Sequence, residues 1–242
     1  MSVRGCKNIT KKMSHKIKSV ADAVTAYIRP GQSLMVGGFG RGGVPFSVLD
    51  YLADRPDHYK DFILYKNDAN EPDLGIGRLL KNRQVTRLYT THIGLNPAFI
   101  AQMNAGEIAC TLTPQGIFAE KIRAGGAGIA AFLSDIGLDT SYAEGKEKIT
   151  LDGKEYILER ACRAEVALIC ADKVDEKGNC WWQGSNRNMC VAMGTACDRV
   201  IVEAKEIVAP GVLPPEDIHL PGVFVGTVVP AGPRRHQQGL AA

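Results

Sequence analysis

Short apolar runs alternate with helix-like stretches along most of this chain, and that alternation restricts the folds that it can adopt. Apolar runs predict strands at residues 34–36, 62–65, 85–90 and 108–112. Helical spacing of apolar residues predicts helices at residues 19–29, 46–53, 77–81, 96–105 and 117–124. Strands that recur at these intervals, with helices between them, form βαβ units. We therefore predict an α/β fold with an open, mostly parallel sheet and flanking helices.

The chain departs from this alternation near residues 148–158. Two strand-like runs there lie on either side of Asp152-Gly153, a dipeptide that favours a tight turn, and predict an inserted β-hairpin. Further strands are predicted at residues 164–171, 179–182 and 199–202, and a helix at 189–197. We predict one domain over residues 13–229, with a flexible N-terminal extension (1–12) and a flexible C-terminal tail (230–242).

The composition is that of a globular protein and excludes several classes of function. Of the 242 residues, 45% are apolar and 23% are charged, and the net charge is only +3. Because there is no basic run beyond the lysines of residues 7–18 and no run of about 18 apolar residues, neither nucleic acid nor a membrane is an expected partner. The seven cysteines include no Cys-x-x-Cys pair, so we expect no metal site and a reducing, cytoplasmic environment.

Five glycines within seven residues follow the first predicted strand: Gly37, Gly38, Gly40, Gly42 and Gly43. Because glycine has no Cβ, this loop can turn sharply and bring backbone N–H groups close to a ligand. Amides that converge at the start of a helix suit a phosphate, a carboxylate or the oxyanion of an acyl-transfer step. Close packing alone would also favour these glycines. The loop lacks the lysine of a Walker motif and the well-placed acidic residue of a dinucleotide-binding motif.

Two other loops follow predicted strands, at residues 66–73 and 113–116. In open α/β sheets, ligands bind at the carboxyl ends of the strands. The glycine loop (residues 37–45) also lies at such an end. We therefore expect these three loops to converge and to form one site.

The glycine loop is part of a longer pattern that resembles a known family. Gly37-Gly38-Phe39 and, three residues later, Gly43-Val44-Pro45 are similar to the signature of family I CoA-transferases, in the subunit called alpha. Residues 113–129 resemble the second long motif of that family, and residues 216–225 resemble its closing segment. The resemblance extends, in order, from about residue 16 to residue 229.

This resemblance implies covalent catalysis in two half-reactions. In the family, a glutamate attacks the acyl-CoA to give an acyl-glutamyl anhydride, and CoA then returns to form an enzyme–CoA thioester. That glutamate lies in the other subunit, in a string of the type Ser-Glu-Asn-Gly, which this chain does not contain. We therefore expect no catalytic residue in this chain, which would act as an alpha subunit with a separate beta subunit. Two alpha and two beta subunits are the common arrangement in the family.

The resemblance also implies substrates and site residues. Coenzyme A is a substrate, no cofactor is bound permanently, and acetate, butyrate or acetoacetate are the expected acids. The implied substrate and oxyanion pocket consists of Gly37, Gly38, Phe39, Gly40, Gly43, Asn67, Asp68 and Gln115. The neutral amide of Gln115 can donate a hydrogen bond to a carboxylate oxygen or to a developing oxyanion.

Two positions depart from the family pattern. Asp68 replaces the second residue of an Asn-Asn pair, and Asn70 replaces a glycine. A carboxylate beside a carboxylate substrate is repulsive unless it is protonated or paired. Arg41, inside the glycine loop, could pair with Asp68 or with a second carboxylate on a dicarboxylic substrate.

The sequence suggests two alternative functions, of which the first stays open. Ring-opening hydrolases and lyases of the same fold retain CoA, and the nucleophilic glutamate can be lost in them; the changes at Asp68 and Asn70 favour this alternative. The other is a sugar-phosphate-sensing regulator of the wider superfamily. It would carry a helix-turn-helix ahead of the domain, for which the sequence leaves no room.

Overall fold

The computed structural model describes residues 16–233. Within this range the chain forms the helices α1 (Val20–Tyr27), α2 (Phe46–Ala53), α3 (Ile76–Lys81), α4 (Pro97–Asn104), α5 (Gln115–Gly126) and α6 (Cys190–Ala196). Its strands are β1 (Ser33–Val36), β2 (Phe62–Lys66), β3 (Val85–Thr90), β4 (Ala109–Leu112), β5 (Ala131–Ser134), β6 (Lys148–Leu151), β7 (Lys154–Arg160), β8 (Ala164–Asp175), β9 (Cys180–Trp181), β10 (Cys197–Val208) and β11 (Thr227–Pro230). Among these residues no helix is long and apolar enough to cross a membrane. The predicted extension at residues 1–12 lies outside the described range.

Two of the helices begin at residues whose side chains cap them. The Ser19 hydroxyl accepts a hydrogen bond from the Asp22 amide (3.1 Å) and so caps α1. The Asn96 side chain accepts one from the Phe99 amide (3.0 Å) at the start of α4, where Pro97 occupies the first helical position. These helices therefore begin where the sequence predicts them to within a residue.

Seven strands of the main sheet are parallel, in the order β11-β10-β8-β1-β2-β3-β4. The short strand β9 pairs antiparallel with β8. This confirms the predicted open, mostly parallel sheet. The chain builds outward from β1 through β2, β3 and β4 on one side and later adds β8, β10 and β11 on the other. The strand order therefore reverses between β1 and β8, the position at which α/β sheets form a ligand crevice.

Helices cover both faces of the main sheet. One buried core lies between the sheet and the helices α1 to α4 and includes Val24, Leu49, Leu79 and Phe99. A second core lies on the opposite face with α5 and α6 and includes Phe118, Ile122 and Met193. The reversal between β1 and β8 places α2 and α6 on opposite faces, so the chain diverges at the carboxyl ends of these two strands.

A small antiparallel sheet, in the order β5-β7-β6, confirms the predicted hairpin. Asp152 and Gly153 connect β6 to β7 with φ angles of 51° and 76°, as a two-residue turn with two left-handed positions requires. The sequence did not predict β5. Its pairing partner β7 lies more than 20 residues along the chain, and a four-residue run carries little periodicity of its own.

The structured part of the chain continues past residue 229. Pro230 ends β11, and the Ala231 amide donates to the carbonyl of Ala204 (2.8 Å). Residues 230–233 of the predicted tail are thus within the described range and Pro230 belongs to β11, while residues 234–242 lie outside that range; the flexibility of the tail stays a prediction. Proline is tolerated at this position because β11 is an edge strand of the sheet.

A buried carboxylate on β10 supports the end of the glycine loop. The Oε2 atom of Glu203 accepts hydrogen bonds from the amides of Ser47 (2.8 Å) and Val48 (3.2 Å), and Oε1 accepts one from the Ser47 hydroxyl (3.1 Å). Glu203 thus caps α2, whose own N-cap residue, Pro45, makes no side-chain hydrogen bond. Burial raises the pKa of Glu203 to about 7, although these hydrogen bonds oppose the shift.

Replacing Glu203 with glutamine tests whether the raised pKa of this carboxyl makes the stability of the protein depend on pH. Because the folded carboxyl has a pKa of about 7 and its ordinary value is 4.5, the stability that its protonated form contributes is lost as the pH rises between those values. We expect the free energy of unfolding of Glu203→Gln, relative to that of the unchanged protein, to increase by up to about 3 kcal/mol from about pH 5 to about pH 8. Urea unfolding at both pH values measures this difference, and a difference that does not change with pH would contradict it.

Candidate functional site

Three loops meet at the carboxyl edge of the main sheet. The amide of Gly40, after β1, donates to Oδ2 of Asp68, after β2 (2.9 Å). The side-chain amide of Gln115, after β4, donates to Oδ1 of Asn67 (2.6 Å). The loops that the sequence predicted to converge therefore contact one another, next to the reversal of strand order between β1 and β8.

The backbone of the glycine loop requires its glycines. Gly38, Gly40 and Gly43 have φ angles of 106°, 55° and 69°, which side chains rarely adopt. A Cβ on Gly38 would lie 2.4 Å from Cγ2 of Val44, and one on Gly43 would lie 2.8 Å from the carbonyl oxygen of Asn186. Left-handed backbone and close packing thus act together at Gly38 and Gly43.

Most amides of the loop are used inside the protein. Hydrogen bonds of 2.8–3.0 Å are donated by the amides of Gly37, Phe39, Gly40 and Gly42. Their acceptors are the carbonyls of Leu168, Gly42 and Phe39 and the carboxylate of Asp68. At these four positions the backbone N–H groups already donate within the protein, so the loop can contribute its shape to a site but not these four donors.

Asp68 is a buried, fully hydrogen-bonded carboxylate. Its Oδ1 atom accepts from the Asn70 amide (3.0 Å) and side chain (2.8 Å). Its Oδ2 atom accepts from Gly40, from Lys66 Nζ (3.2 Å) and from the Asn67 side chain (3.2 Å). Burial alone would raise the pKa of Asp68, but the charge of Lys66 and these hydrogen bonds hold it below its ordinary value. The carboxylate is therefore ionised and paired.

Arg41 pairs with Glu71, with its Nε and Nη2 atoms 3.0 and 2.9 Å from Oε1. The predicted pairing of Arg41 with Asp68 is wrong, because the buried ammonium of Lys66 already compensates that carboxylate. The Arg41 side chain is 54% exposed. Its alternative role, with a carboxylate of the substrate, stays a prediction.

The site has an exposed rim over buried supports. Phe39 is 56% exposed, and Gln115 is exposed at the first position of α5. Asn67, Asp68 and Asn70 are each less than 5% exposed. Among the described residues, the side-chain amide of Gln115 donates only to Asn67, so its second N–H can reach a ligand. The implied site residues therefore divide into groups that a ligand can touch and groups that hold them.

Sequence reasoning missed Lys66 and Glu71. Lys66 ends β2 two residues before Asp68, and side chains at that spacing lie on the same side of an extended chain. A lysine that closes an otherwise apolar strand was the available signal for a buried ion pair. For Glu71 the sequence offers only its place in the loop after β2.

Known proteins show similarity over nearly the whole chain. A family model described as "Coenzyme A transferase" matches residues 17–231. The chain is 39% identical over 211 residues to the A-type subunit of the succinyl-CoA:3-ketoacid coenzyme A transferase of Helicobacter pylori, covering 87% of this chain and 90% of that one. It is 39% identical over 217 residues to the alpha subunit of the acetate CoA-transferase of Escherichia coli K12, covering 90% and 97%.

A solved structure shares the fold. The acyl-CoA transferase of Escherichia coli O157:H7, in a thioester complex with CoA, superposes with a TM-score of 0.83 at 22% identity. The match covers 95% of this chain and 52% of that one, so this chain spans about half its length.

The reversed strand order and the three converging loops define an α/β protein of the class that binds ligands at the carboxyl edge of its sheet. The chain belongs to the coenzyme A transferase family, as a transferase subunit of the alpha type. Proteins of this family use coenzyme A as a substrate.

Two alanine substitutions test the loop geometry. Gly38→Ala adds a Cβ that clashes with Val44 in addition to the unfavourable φ, whereas Gly40→Ala adds one that meets nothing within 4 Å. We expect Gly40→Ala to lower the free energy of unfolding by about 1 kcal/mol and Gly38→Ala by about 3 kcal/mol. Urea denaturation compares them, and equal losses would show that the packing of Gly38 does not matter.

Proposed function

We propose that this chain is the alpha subunit of a heteromeric enzyme that moves CoA between an acyl-CoA and a small carboxylic acid. A glutamate of a beta subunit would be the nucleophile. The observation that carries this proposal is the 39% identity to alpha-type subunits of CoA-transferases over at least 90% of their lengths. The lack of a Ser-Glu-Asn-Gly string in this chain supports it.

In the proposed reaction, the partner's glutamate attacks the thioester carbonyl of the acyl-CoA, and the CoA thiolate leaves. The thiolate then attacks the glutamyl carbonyl of the resulting anhydride, which releases the carboxylic acid and leaves a glutamyl-CoA thioester. The second acid reverses these steps. Each attack places negative charge on a carbonyl oxygen, which hydrogen-bond donors held in advance stabilise.

We infer that the second N–H of Gln115 is one of these donors. It is exposed at the crevice, and its bond to Asn67 fixes the orientation of the amide. Gly37, Gly38, Gly40 and Gly43 would shape the floor of the pocket, since several of their amides are already bonded within the protein. The exposed ring of Phe39 would pack against the acyl chain.

Short-chain acids are the proposed substrates. The relatives in Helicobacter pylori and Escherichia coli are named for succinyl-CoA with a 3-ketoacid and for acetate, and a relative in Clostridium acetobutylicum is named for acetoacetyl-CoA with acetate or butyrate. A succinyl group has a second carboxylate. The guanidinium of Arg41, exposed at the tip of the loop, has the charge and the donor geometry to bind it. We place the reaction in the cytoplasm, in an assembly of two alpha and two beta subunits.

Reconstitution tests the proposed function. We expect the purified chain alone to transfer no CoA and to gain activity on addition of a beta-type subunit. The outcome that would sink the proposal is robust transfer by the chain alone. Mass spectrometry of the active complex with acyl-CoA should show CoA on a glutamate of the beta subunit. Turnover without that adduct would favour the alternative, an acyl-CoA hydrolase or lyase of the same fold.

Arg41→Met tests the role of the arginine. We expect the KM for succinyl-CoA to rise about tenfold and the KM for acetyl-CoA to change less than about twofold, because only the first has a second carboxylate. Arg83→Met is the matched control, since Arg83 pairs with Glu107 on the surface ahead of β3, at the opposite edge of the sheet. Equal effects of Arg41→Met on the two donors would remove Arg41 from the site.

A further inference from the structure

We propose that Lys66 is a positioning residue of the transferase reaction, which holds the glycine loop in its working shape through Asp68 and Asn70. This inference rests on the proposed function and adds to it a residue that does not touch the substrate. We call the set of Lys66, Asp68 and Asn70 the lysine clamp.

The clamp begins at the end of β2. The Lys66 side chain is fully buried, and its Nζ atom lies 3.2 Å from Oδ2 of Asp68 and 3.4 Å from the carbonyl oxygen of Gly38. The ammonium therefore contacts the glycine loop directly. It also pairs with the Asp68 carboxylate, which makes a second contact with the same loop.

Asp68 and Asn70 complete the connection to the loop. Oδ2 of Asp68 accepts from the Gly40 amide (2.9 Å), and the Asn70 side chain donates to the Gly40 carbonyl (2.9 Å) and to Oδ1 of Asp68 (2.8 Å). Both backbone polar atoms of Gly40 are thus held by one cluster. Between the held groups of Gly38 and Gly40 lies Phe39, whose side chain is exposed.

Asn70 is itself fixed. It adopts a left-handed φ of 50°, and its Oδ1 atom accepts from the Ile76 amide at the start of α3 (3.3 Å). The clamp therefore joins the glycine loop to β2 and α3, two regular elements of the core. A loop held in this way does not need to reorganise when charge develops on a substrate oxygen.

The charge of Lys66 matters in two ways. Burial is unfavourable for an ammonium and lowers the pKa of Lys66, and the charge of Asp68 opposes this. Removing the lysine would leave the Asp68 carboxylate buried and uncompensated under a pocket that receives carboxylic acids. We infer that the loss would release the loop and would also repel the acid.

These two effects can be separated by two variants. Lys66→Met removes the ammonium and leaves the uncompensated carboxylate. The double variant Lys66→Met/Asp68→Asn removes both charges, so the repulsion disappears. The bond from the ammonium to the Gly38 carbonyl is still missing, and position 68 keeps only one acceptor oxygen in place of two. A residue that only stabilised the fold would alter neither the balance between kcat and KM nor the local protection of the loop.

The experiment uses the complex with the beta subunit for kinetics and hydrogen exchange of residues 37–45 for the loop. We expect Lys66→Met to lower kcat about 100-fold, to raise the KM for the acceptor acid, and to speed exchange of the loop at least about tenfold. In the double variant we expect the KM to return towards its original value while kcat stays low and exchange stays fast.

Lys146→Met is the matched control. It removes a lysine from another buried carboxylate, Glu159, which keeps its second partner, Lys121 (2.9 Å). We expect no change in loop exchange or kcat from this variant. If Lys66→Met does not fold, the double variant decides, because it contains no unpaired buried charge.

The outcomes distinguish the two proposals. Unchanged loop exchange in the double variant, or a kcat within about threefold of the original, would overturn the clamp. An unmodified complex without transfer activity would overturn the proposed function, and loop exchange would still decide whether Lys66 holds the loop.

Discussion

The parallel pairing of β1 with β8 is the contact on which the rest of this structure depends. Leu34, Met35 and Val36 align with residues more than 130 positions later, Val166, Ala167 and Leu168. In this register the Gly37 amide donates a hydrogen bond to the carbonyl of Leu168 (2.8 Å), which fixes the position of the first residue of the glycine loop. Because the strand order reverses there, the helices that follow the two strands diverge to opposite faces and leave a crevice at the carboxyl ends.

Three of the buried carboxylates in the described residues are compensated by lysines or by amides at the start of a helix. Asp68 is paired with a lysine, Glu203 caps the amides at the start of α2, and Glu159 accepts from two lysines at 2.9 Å. These groups cost desolvation energy and are favourable only with their partners in place. Asp68 and Glu203 fix the backbone of the glycine loop and of the helix after it, while the side chains that can meet a ligand lie at the exposed rim.

Much of the fold could be predicted because its signals are local. The alternation of strands and helices, the Asp152-Gly153 turn and the conformational demands of Gly38 and Gly43 each depend on neighbouring residues and on φ angles that few side chains adopt. Strands β5 and β11 were missed, because short runs have little periodicity and are defined by partners elsewhere in the chain.

The sequence by itself determined the α/β class, the three loops that form the site and the resemblance to alpha-type CoA-transferases. Only the tertiary structure decided the charge pairing within that site. Lys66 and Asp68 are buried together, and Arg41 pairs with Glu71, 30 residues away. A side chain's type gives its charge, but its partner depends on which atoms the fold brings within about 4 Å and away from water. For Arg41 and Glu71, no pattern of neighbouring residues specifies that choice.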